Sequence, residues 1–109
     1  MAAHVETRIF DLPPERVFDL VADVERYPEF LPMWREATVV RRCEDGYETD
    51  QRVGLGLLVE RFHTRTHLDR PRQIVVSSND GLFEGFRIVW DFAPTEAGGC
   101  QVDCSLAFD

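Results

Sequence analysis

Residues 18–32 read FDLVADVERYPEFLP, and this stretch decides how the 109-residue chain is built. It begins as an amphipathic helix, because apolar side chains recur on one face at helical spacing: Val17, Phe18, Val21, Ala22 and Val24. The preceding run Leu12-Pro13-Pro14-Glu15 opens that helix, since a proline in its first turn wastes no hydrogen bond. Pro28 is predicted to force Tyr27 out of the α conformation and to start a second short helix, which Pro32 ends.

After residue 35 the apolar period changes to two, which is typical of half-buried strands. Strands are predicted over residues 4–11, 35–43, 47–53, 58–69, 73–78, 83–92 and 100–108, with turns at 44–46, 69–72 and 79–81 and a loop at 93–99. Gly54-Leu55-Gly56 is either a turn or a glycine-softened bend. The expected class is α+β, a curved antiparallel sheet of six to seven strands with two short N-terminal helices.

Two short helices are too small to cover one face of such a sheet. The uncovered concave face is therefore expected to hold a ligand, or to be covered by a missing element or by a partner. An apolar stripe on the strand 83–92 is typical of core, and part of it is also suited to line a ligand cavity: Phe86, Ile88, Trp90 and Phe92.

The composition fits one globular domain over residues 1–109. Hydrophobic residues make up 44% and aromatic residues 11%, which excludes a disordered chain. The formal net charge is −8, which argues against nonspecific binding to nucleic-acid phosphates or anionic lipid, so no DNA partner is expected. A local basic patch remains compatible with that total.

Three cysteines, an odd number spread along the chain, do not form a disulfide framework, and a reducing cytosol is the simplest setting. Cys100 and Cys104 are expected to be small core residues, and four residues of strand separate them too far for a disulfide. The N-terminus has no signal-peptide pattern, and no apolar run reaches the roughly 20 residues that a bilayer span needs. The expected location is the cytoplasm, with peripheral association at the inner membrane as an option.

Residues 18–32 also carry a family resemblance. They resemble a signature of the coenzyme-Q-binding and RatA-like proteins, which belong to the polyketide cyclase/dehydrase branch of the START-like (SRPBCC) superfamily, and the match continues through residues 60–66, 80–83, 90–92 and 100–102. The resemblance covers essentially the whole chain. It implies a helix-grip START-like fold, in which a curved sheet grips a long C-terminal helix with an apolar cavity between them.

The resemblance implies a non-enzymatic carrier that binds a hydrophobic small molecule, a polyprenyl quinone such as ubiquinone, in support of respiration. No cofactor is expected beyond such a bound isoprenoid. The alternative is a RatA-like ribosome-associated toxin that blocks subunit joining, with the large ribosomal subunit as partner. The third hypothesis is a cyclase- or dehydratase-like enzyme, which needs an ionisable pair inside the cavity.

The sequence departs from the family pattern at three places. Met33 and Trp34 follow Phe-Leu-Pro where the family has Trp and Cys, and Leu82 replaces the proline of an Asp-Gly-Pro-Phe loop. The chain also stops at Asp109, so the C-terminal helix is absent and the domain is expected to be incomplete there, by truncation or as a natural short form. An uncovered apolar groove is then expected to drive homodimerisation or aggregation.

Ten residues are predicted to line the ligand cavity: Tyr27, Phe30, Leu31, Trp34, Phe62, Thr64, Phe83, Phe86, Ile88 and Trp90. No catalytic or metal site is predicted. His63 and His67 share a strand face but lie about 13 Å apart at roughly 3.3 Å per residue, too far to ligate one ion. With Arg61 and Arg65 they form a solvated outer stripe, or else a local basic surface for ribosomal RNA or lipid headgroups.

Overall fold

A computed structural model describes residues 2–78 and 85–108 of the protein. The described strands are β1 (Ala2–Phe10), β2 (Trp34–Cys43), β3 (Gly46–Leu55), β4 (Leu58–Asp69), β5 (Gln73–Ser78), β6 (Phe86–Pro94) and β7 (Cys100–Phe108). Between β1 and β2 lie helix α1 (Pro14–Ala22), a 3-10 turn (Val24–Arg26) and helix α2 (Tyr27–Phe30). Each predicted strand corresponds to one of these strands, whereas the turn predicted at 79–81 and the first two residues of the predicted strand 83–92 lie outside the described residues.

The strands of the described chain form one antiparallel sheet in the order β1-β7-β6-β5-β4-β3-β2. Strands β2 to β7 follow one another as a meander, and β1 closes the order by pairing with β7, with Phe10 opposite Cys100. The α+β class with seven strands and two short helices is therefore confirmed. The sheet places β1 and β2, consecutive strands of the chain, at its two opposite edges.

Glycines make two of the tight connections. Gly46 opens β3 directly after the Glu44-Asp45 turn, and a Cβ there would lie 2.0 Å from the backbone oxygen of Thr66, so any side chain would displace β4. Gly56 has φ +62° and forms the β3–β4 turn, whereas Gly54 lies within β3. Of the two alternatives for residues 54–56, the turn at Gly56 is the correct one.

Helix α1 closes one end of the concave face of the sheet. Val17 and Phe18 are buried against it, and the Phe18 and Phe92 rings meet edge to face at 5.4 Å. The cluster is completed by Ile74, Cys100 and Val102. This is the larger of two buried apolar clusters among the described residues, and it includes Phe92, the one member of the β6 stripe that does not line the cavity described below.

The helical segment breaks at Asp23 and not at Pro28. Asp23 leaves the helical region at φ −85°, ψ 66°, while Tyr27 is α-helical at φ −54°, ψ −40°. The prediction that Pro28 forces Tyr27 out of the α conformation was therefore wrong. The pre-proline restriction is a preference, and here two hydrogen bonds outweigh it: Tyr27 donates from its hydroxyl to the Val21 carbonyl, and its own carbonyl accepts from the Leu31 N–H at 2.8 Å.

The three cysteines are free thiols in different settings. Cys100 is fully buried in the core, as predicted, whereas Cys104 is only half-buried and Cys43 is exposed. Burial raises the pKa of the Cys100 and Cys104 thiols, so both stay protonated and weakly reactive. The longer of the two described helices has nine residues, and neither has the length or the apolar run for a membrane crossing.

Candidate functional site: an apolar cavity under the helical segment

An open cavity of about 850 Å³ lies between the helical segment and the concave face of the sheet. Leu20 and Val21 of α1, Val24 of the 3-10 turn, and Tyr27 and Leu31 around α2 form its helical wall. Strands β2 to β7 supply the rest: Trp34, Tyr47, Gln51, Val53, Phe62, Thr64, Thr66, Ile74, Val76, Phe86, Ile88, Trp90 and Leu106. The lining is overwhelmingly apolar, with Leu20 exposed over 58% of its surface at the open side.

Eight of the ten predicted lining residues lie in this cavity: Tyr27, Leu31, Trp34, Phe62, Thr64, Phe86, Ile88 and Trp90. The side chain of Phe30 and the whole of Phe83 lie outside the part of the chain that the structure describes. The structure thus gives the position of eight of the ten predicted residues. Contact with a ligand stays a prediction for all ten.

The sequence did not predict ten of the eighteen residues that line the cavity. Val76 and Leu106 sit on the inner face of β5 and β7, where β5 reads as a continuous β-branched run without a clear alternation. Leu20 lies beside the core-facing stripe of α1 and turns its side chain to the cavity. Gln51 was missed because a polar residue within a strand is normally assigned to the solvent face.

Aromatic rings define two ends of the cavity. Tyr27 and Trp34 meet edge to face with ring centroids 6.1 Å apart, which joins α2 to β2. Phe62 and Phe86 meet in the same manner at 6.0 Å across β4 and β6. Such edge-to-face pairs contribute about 0.5–1.5 kcal/mol beyond their buried area, so the walls are set before any ligand arrives.

A hydrogen-bonded chain of side chains runs through the apolar wall. The Trp34 indole N–H donates to Gln51 Oε1 at 2.8 Å, and Gln51 Nε2 donates to Thr49 Oγ1 at 2.9 Å. Thr49 and Thr64 share a hydrogen bond between their hydroxyls. Thr49 and Thr64 are 0% and 1% exposed, so these polar groups are satisfied largely by one another.

Two tyrosines carry the ionisable groups of the described lining. Burial raises the pKa of Tyr47 to about 12 and raises that of Tyr27 further. The Tyr47 hydroxyl donates to the Ala22 carbonyl at 2.7 Å. Both phenols are protonated at neutral pH, so the described lining carries no charge.

The outer face of the sheet has the opposite character. His63 Nδ1 lies 2.9 Å from Asp50 Oδ1 and its Nε2 lies 3.0 Å from Glu48 Oε1. Hydrogen bonds to Asp50 and Glu48 raise the pKa of His63, while His63 lowers the pKa of Glu48. His67 lies 3.2 Å from Asp45, so acidic neighbours flank both histidines of the predicted stripe. Within residues 2–78 and 85–108, no group of three His, Cys, Asp or Glu residues is arranged to hold a metal ion.

Comparison with known proteins gives a family. The family model described as "Polyketide cyclase / dehydrase and lipid transport" matches residues 10–109. The chain is 33% identical over its full length to the ribosome association toxin RatA of Pseudomonas aeruginosa, covering 76% of that protein. It is 29% identical to the mitochondrial coenzyme Q-binding protein COQ10 homolog B of Xenopus laevis, over 95% of this chain and 44% of that protein.

Three solved structures share the fold. An aromatase/cyclase from Streptomyces sp. R1128 superimposes with a TM-score of 0.89 at 16% identity, covering 99% of this chain and 67% of its own. A START superfamily protein from Mycobacterium smegmatis gives 0.85 at 16% identity, covering 98% of this chain and 76% of its own. An 18 kDa protein from Caulobacter crescentus gives 0.78 at 29% identity, covering 100% and 76%. The predicted START-like helix-grip fold is confirmed by these neighbours.

Proposed function

Because this chain belongs to the polyketide cyclase / dehydrase and lipid transport family, we propose that it is a carrier that holds a hydrophobic isoprenoid, a polyprenyl quinone, in the cavity under its helical segment. The coenzyme Q-binding relative supports a quinone as the ligand. The chain spans only 44% of that relative and 76% of the toxin relative, so activities of the whole relatives enter here as proposals.

The observation that carries the proposal is the apolar lining of a cavity of about 850 Å³. Small-molecule sites typically have volumes of about 300–1,000 Å³, mostly apolar walls and a few placed polar groups. Burying each 100 Å² of apolar ligand surface contributes about 2.5 kcal/mol, so an isoprenoid tail supplies the driving force for binding. A water-soluble, charged ligand finds no partner charge among the described lining residues.

The two tryptophans of the chain make a direct assay. Trp34 and Trp90 both line the cavity, and a quinone quenches indole fluorescence on contact. Binding of a quinone in the cavity should therefore lower the tryptophan fluorescence of the protein. We expect saturable quenching by decylubiquinone with the folded protein and only linear collisional quenching with the urea-unfolded chain. Linear quenching in both states, with no quinone or other lipid retained in native mass spectrometry, contradicts the proposal.

Ribosome association is the second candidate, favoured by 33% identity to a ribosome association toxin. The predicted surface for it, on the outer face of β4, comprises Arg61, His63, Arg65 and His67. The acidic groups beside His63 and His67 weaken that surface as a binding site for RNA phosphates. Co-sedimentation with large ribosomal subunits over a salt series tests ribosome association, with Arg61→Glu/Arg65→Glu as the variant. If the wild-type protein does not bind the subunits even at low salt, ribosome association is ruled out.

An enzymatic role is the third candidate. Among the described lining residues, the ionisable side chains are Tyr27 and Tyr47, whose pKa values are raised. Acid–base chemistry at neutral pH favours groups whose pKa lies near 7, and the pKa values of these two tyrosines lie far above it. The non-enzymatic role therefore stays our prediction, together with a cytoplasmic location.

A further inference from the structure

The hydrogen-bonded chain in the cavity wall has a fixed direction. An indole N–H donates and never accepts, so Trp34 requires Gln51 to present its carbonyl oxygen at 2.8 Å. The amide nitrogen of Gln51 therefore points the other way and donates to Thr49 at 2.9 Å and, more weakly, to Thr64 at 3.5 Å. The first donor therefore fixes the direction of both bonds that the Gln51 amide nitrogen makes.

In the next bond of the chain, Thr49 is the donor and Thr64 is the acceptor. The Thr49 hydroxyl is 0% exposed and does not line the cavity, and among the described residues its oxygen meets Gln51 and Thr64. Its proton is satisfied when Thr49 donates to Thr64. The reverse arrangement buries an unsatisfied hydroxyl proton, which costs about 1–3 kcal/mol.

Thr64 then holds one donor for the cavity. Its oxygen accepts from Thr49 and from Gln51, which uses both lone pairs, and its own proton is left. Thr64 is 1% exposed and lines the cavity. Other described polar side chains of the lining have hydrogen bonds of their own: Tyr47 donates to the Ala22 carbonyl, Tyr27 donates to the Val21 carbonyl, and Trp34 donates to Gln51.

We propose that Thr64 Oγ1 anchors the polar head of the ligand and selects a carbonyl acceptor, a ketone or quinone oxygen, over the corresponding alcohol or hydroquinone. The inference rests on the proposed carrier function and assigns its ligand class. A carbonyl oxygen accepts the Thr64 proton and leaves nothing unpaired. An alcohol head can accept the same proton but brings a second one, for which the Thr64 oxygen has no lone pair left, so its bond to this anchor is less well satisfied.

For a quinone carrier, this arrangement amounts to redox selectivity. Quinone and quinol have nearly the same shape, so the apolar walls barely distinguish them. Thr64 distinguishes them by proton count, since the oxidised head offers acceptors and the reduced head adds donors. The protein is then a carrier of the oxidised form.

Matched probes test the anchor. Calorimetric titration with 2-nonanone, 2-nonanol and nonane compares carbonyl, alcohol and hydrocarbon heads on one tail length, and decylubiquinone with its quinol repeats the comparison for the quinone class. Thr64→Val keeps the shape and removes the donor, together with the acceptor of Thr49 and Gln51, and is expected to weaken 2-nonanone and decylubiquinone about 10-fold more than it weakens nonane. Thr64→Ser retains the hydroxyl and is expected to bind like the wild type.

The outcomes separate the anchor from the carrier function. If Thr64→Val weakens all three nonyl probes equally or none of them, the anchor is wrong although the cavity binds. If the ketones bind and the quinone does not, the carbonyl class stands and the quinone is excluded; if none of the probes binds the wild type, the carrier function itself is wrong. Should Thr64→Val fail to fold, the infrared carbonyl band of 2-nonanone on the wild type decides: a shift to lower frequency supports the hydrogen bond, and an unshifted band overturns it.

Discussion

Tyr27 and Tyr47 donate their hydroxyl protons to two consecutive backbone carbonyls, those of Val21 and Ala22. These carbonyls belong to the last turn of α1, where helical backbone acceptors have no partner within the helix. One tyrosine comes from α2 and the other from β3, so together they fix the end of α1 against the sheet. The same two side chains line the cavity, and its geometry therefore depends on their hydroxyls.

Removing one of these hydroxyls is expected to destabilise the fold. Tyr47→Phe leaves the half-buried Ala22 without the donor to its carbonyl, which costs about 1 kcal/mol of unfolding free energy. Urea unfolding followed by circular dichroism measures this cost. The control is Phe62→Leu, which alters the lining without a polar partner; equal stability of Tyr47→Phe and the wild type contradicts the assigned role.

Alkaline pH is expected to unfold the protein through the same groups. The folded-state pKa of Tyr47 is raised to about 12 by burial, above the ordinary value of 10.0. Its contribution to stability is therefore fully present below pH 10 and is lost as the pH rises toward 12. Unfolding free energy measured between pH 8 and 12 should fall across that window, and less steeply in Tyr47→Phe. An identical slope in the variant contradicts the assignment.

His63 is expected to titrate above its ordinary pKa of 6.5, because Asp50 and Glu48 hold both ring nitrogens. This stabilising contribution is present below pH 6.5 and is lost as the pH rises through the folded-state pKa. Glu48, whose pKa is lowered below 4.5, contributes above that pH and loses its contribution on acidification. A proton NMR titration of the imidazole measures the pKa of His63, and Asp50→Asn should lower that pKa. Glu36→Gln, beside Arg52 on the same face, is the control and should leave it unchanged.

Two residues of α1 are expected to separate stability from binding. Phe18 is 2% exposed in the core, so Phe18→Ala costs about 3–5 kcal/mol of unfolding free energy. Leu20 lines the cavity and is 58% exposed, so Leu20→Ala should cost little stability and weaken decylubiquinone binding. Thermal melting and fluorescence titration of both variants check the division. A large loss of stability in Leu20→Ala would place that residue in the core.

Filling the cavity is expected to block it. Val76→Trp adds an indole to the cavity wall and should weaken binding of decylubiquinone by at least about 10-fold, measured by calorimetry. Val40→Trp adds the same group to an exposed position outside the cavity and should bind like the wild type. Equal affinity of both variants means that the ligand sits elsewhere.

The sequence predicted the fold and part of the cavity for different physical reasons. Two-residue periodicity placed Phe62 and Thr64 together on β4, and it placed Ile88 and Trp90 together on β6, because alternation follows directly from strand geometry. Gln51 could not be found in this way. Its inward position is stabilised by the indole of Trp34, a partner 17 residues away whose approach depends on the register of β2 and β3.

The predicted conformation of Tyr27 was wrong for a related reason. A local rule about residues before proline was applied to a side chain whose hydroxyl is held by Val21 and whose ring packs on Trp34. Tertiary contacts outweighed the local preference. That the concave face holds a ligand was one of the expectations drawn from the shortage of helical cover, and the resemblance to a known family added that the cavity is apolar.

The pairing of β1 with β7 also sets when the molecule can finish folding. The Thr7 hydroxyl of β1 donates to Asp103 of β7, which lies 96 residues away in the sequence, and the two strands are neighbours in the sheet. During synthesis β1 leaves the ribosome long before β7 exists, and it waits unpaired while the meander from β2 onward assembles. Pairing at such sequence separation is slow, because the loop-closure entropy is lost before the contact is gained. The sheet is therefore completed by pairing its first strand with its seventh, after β7 has been made.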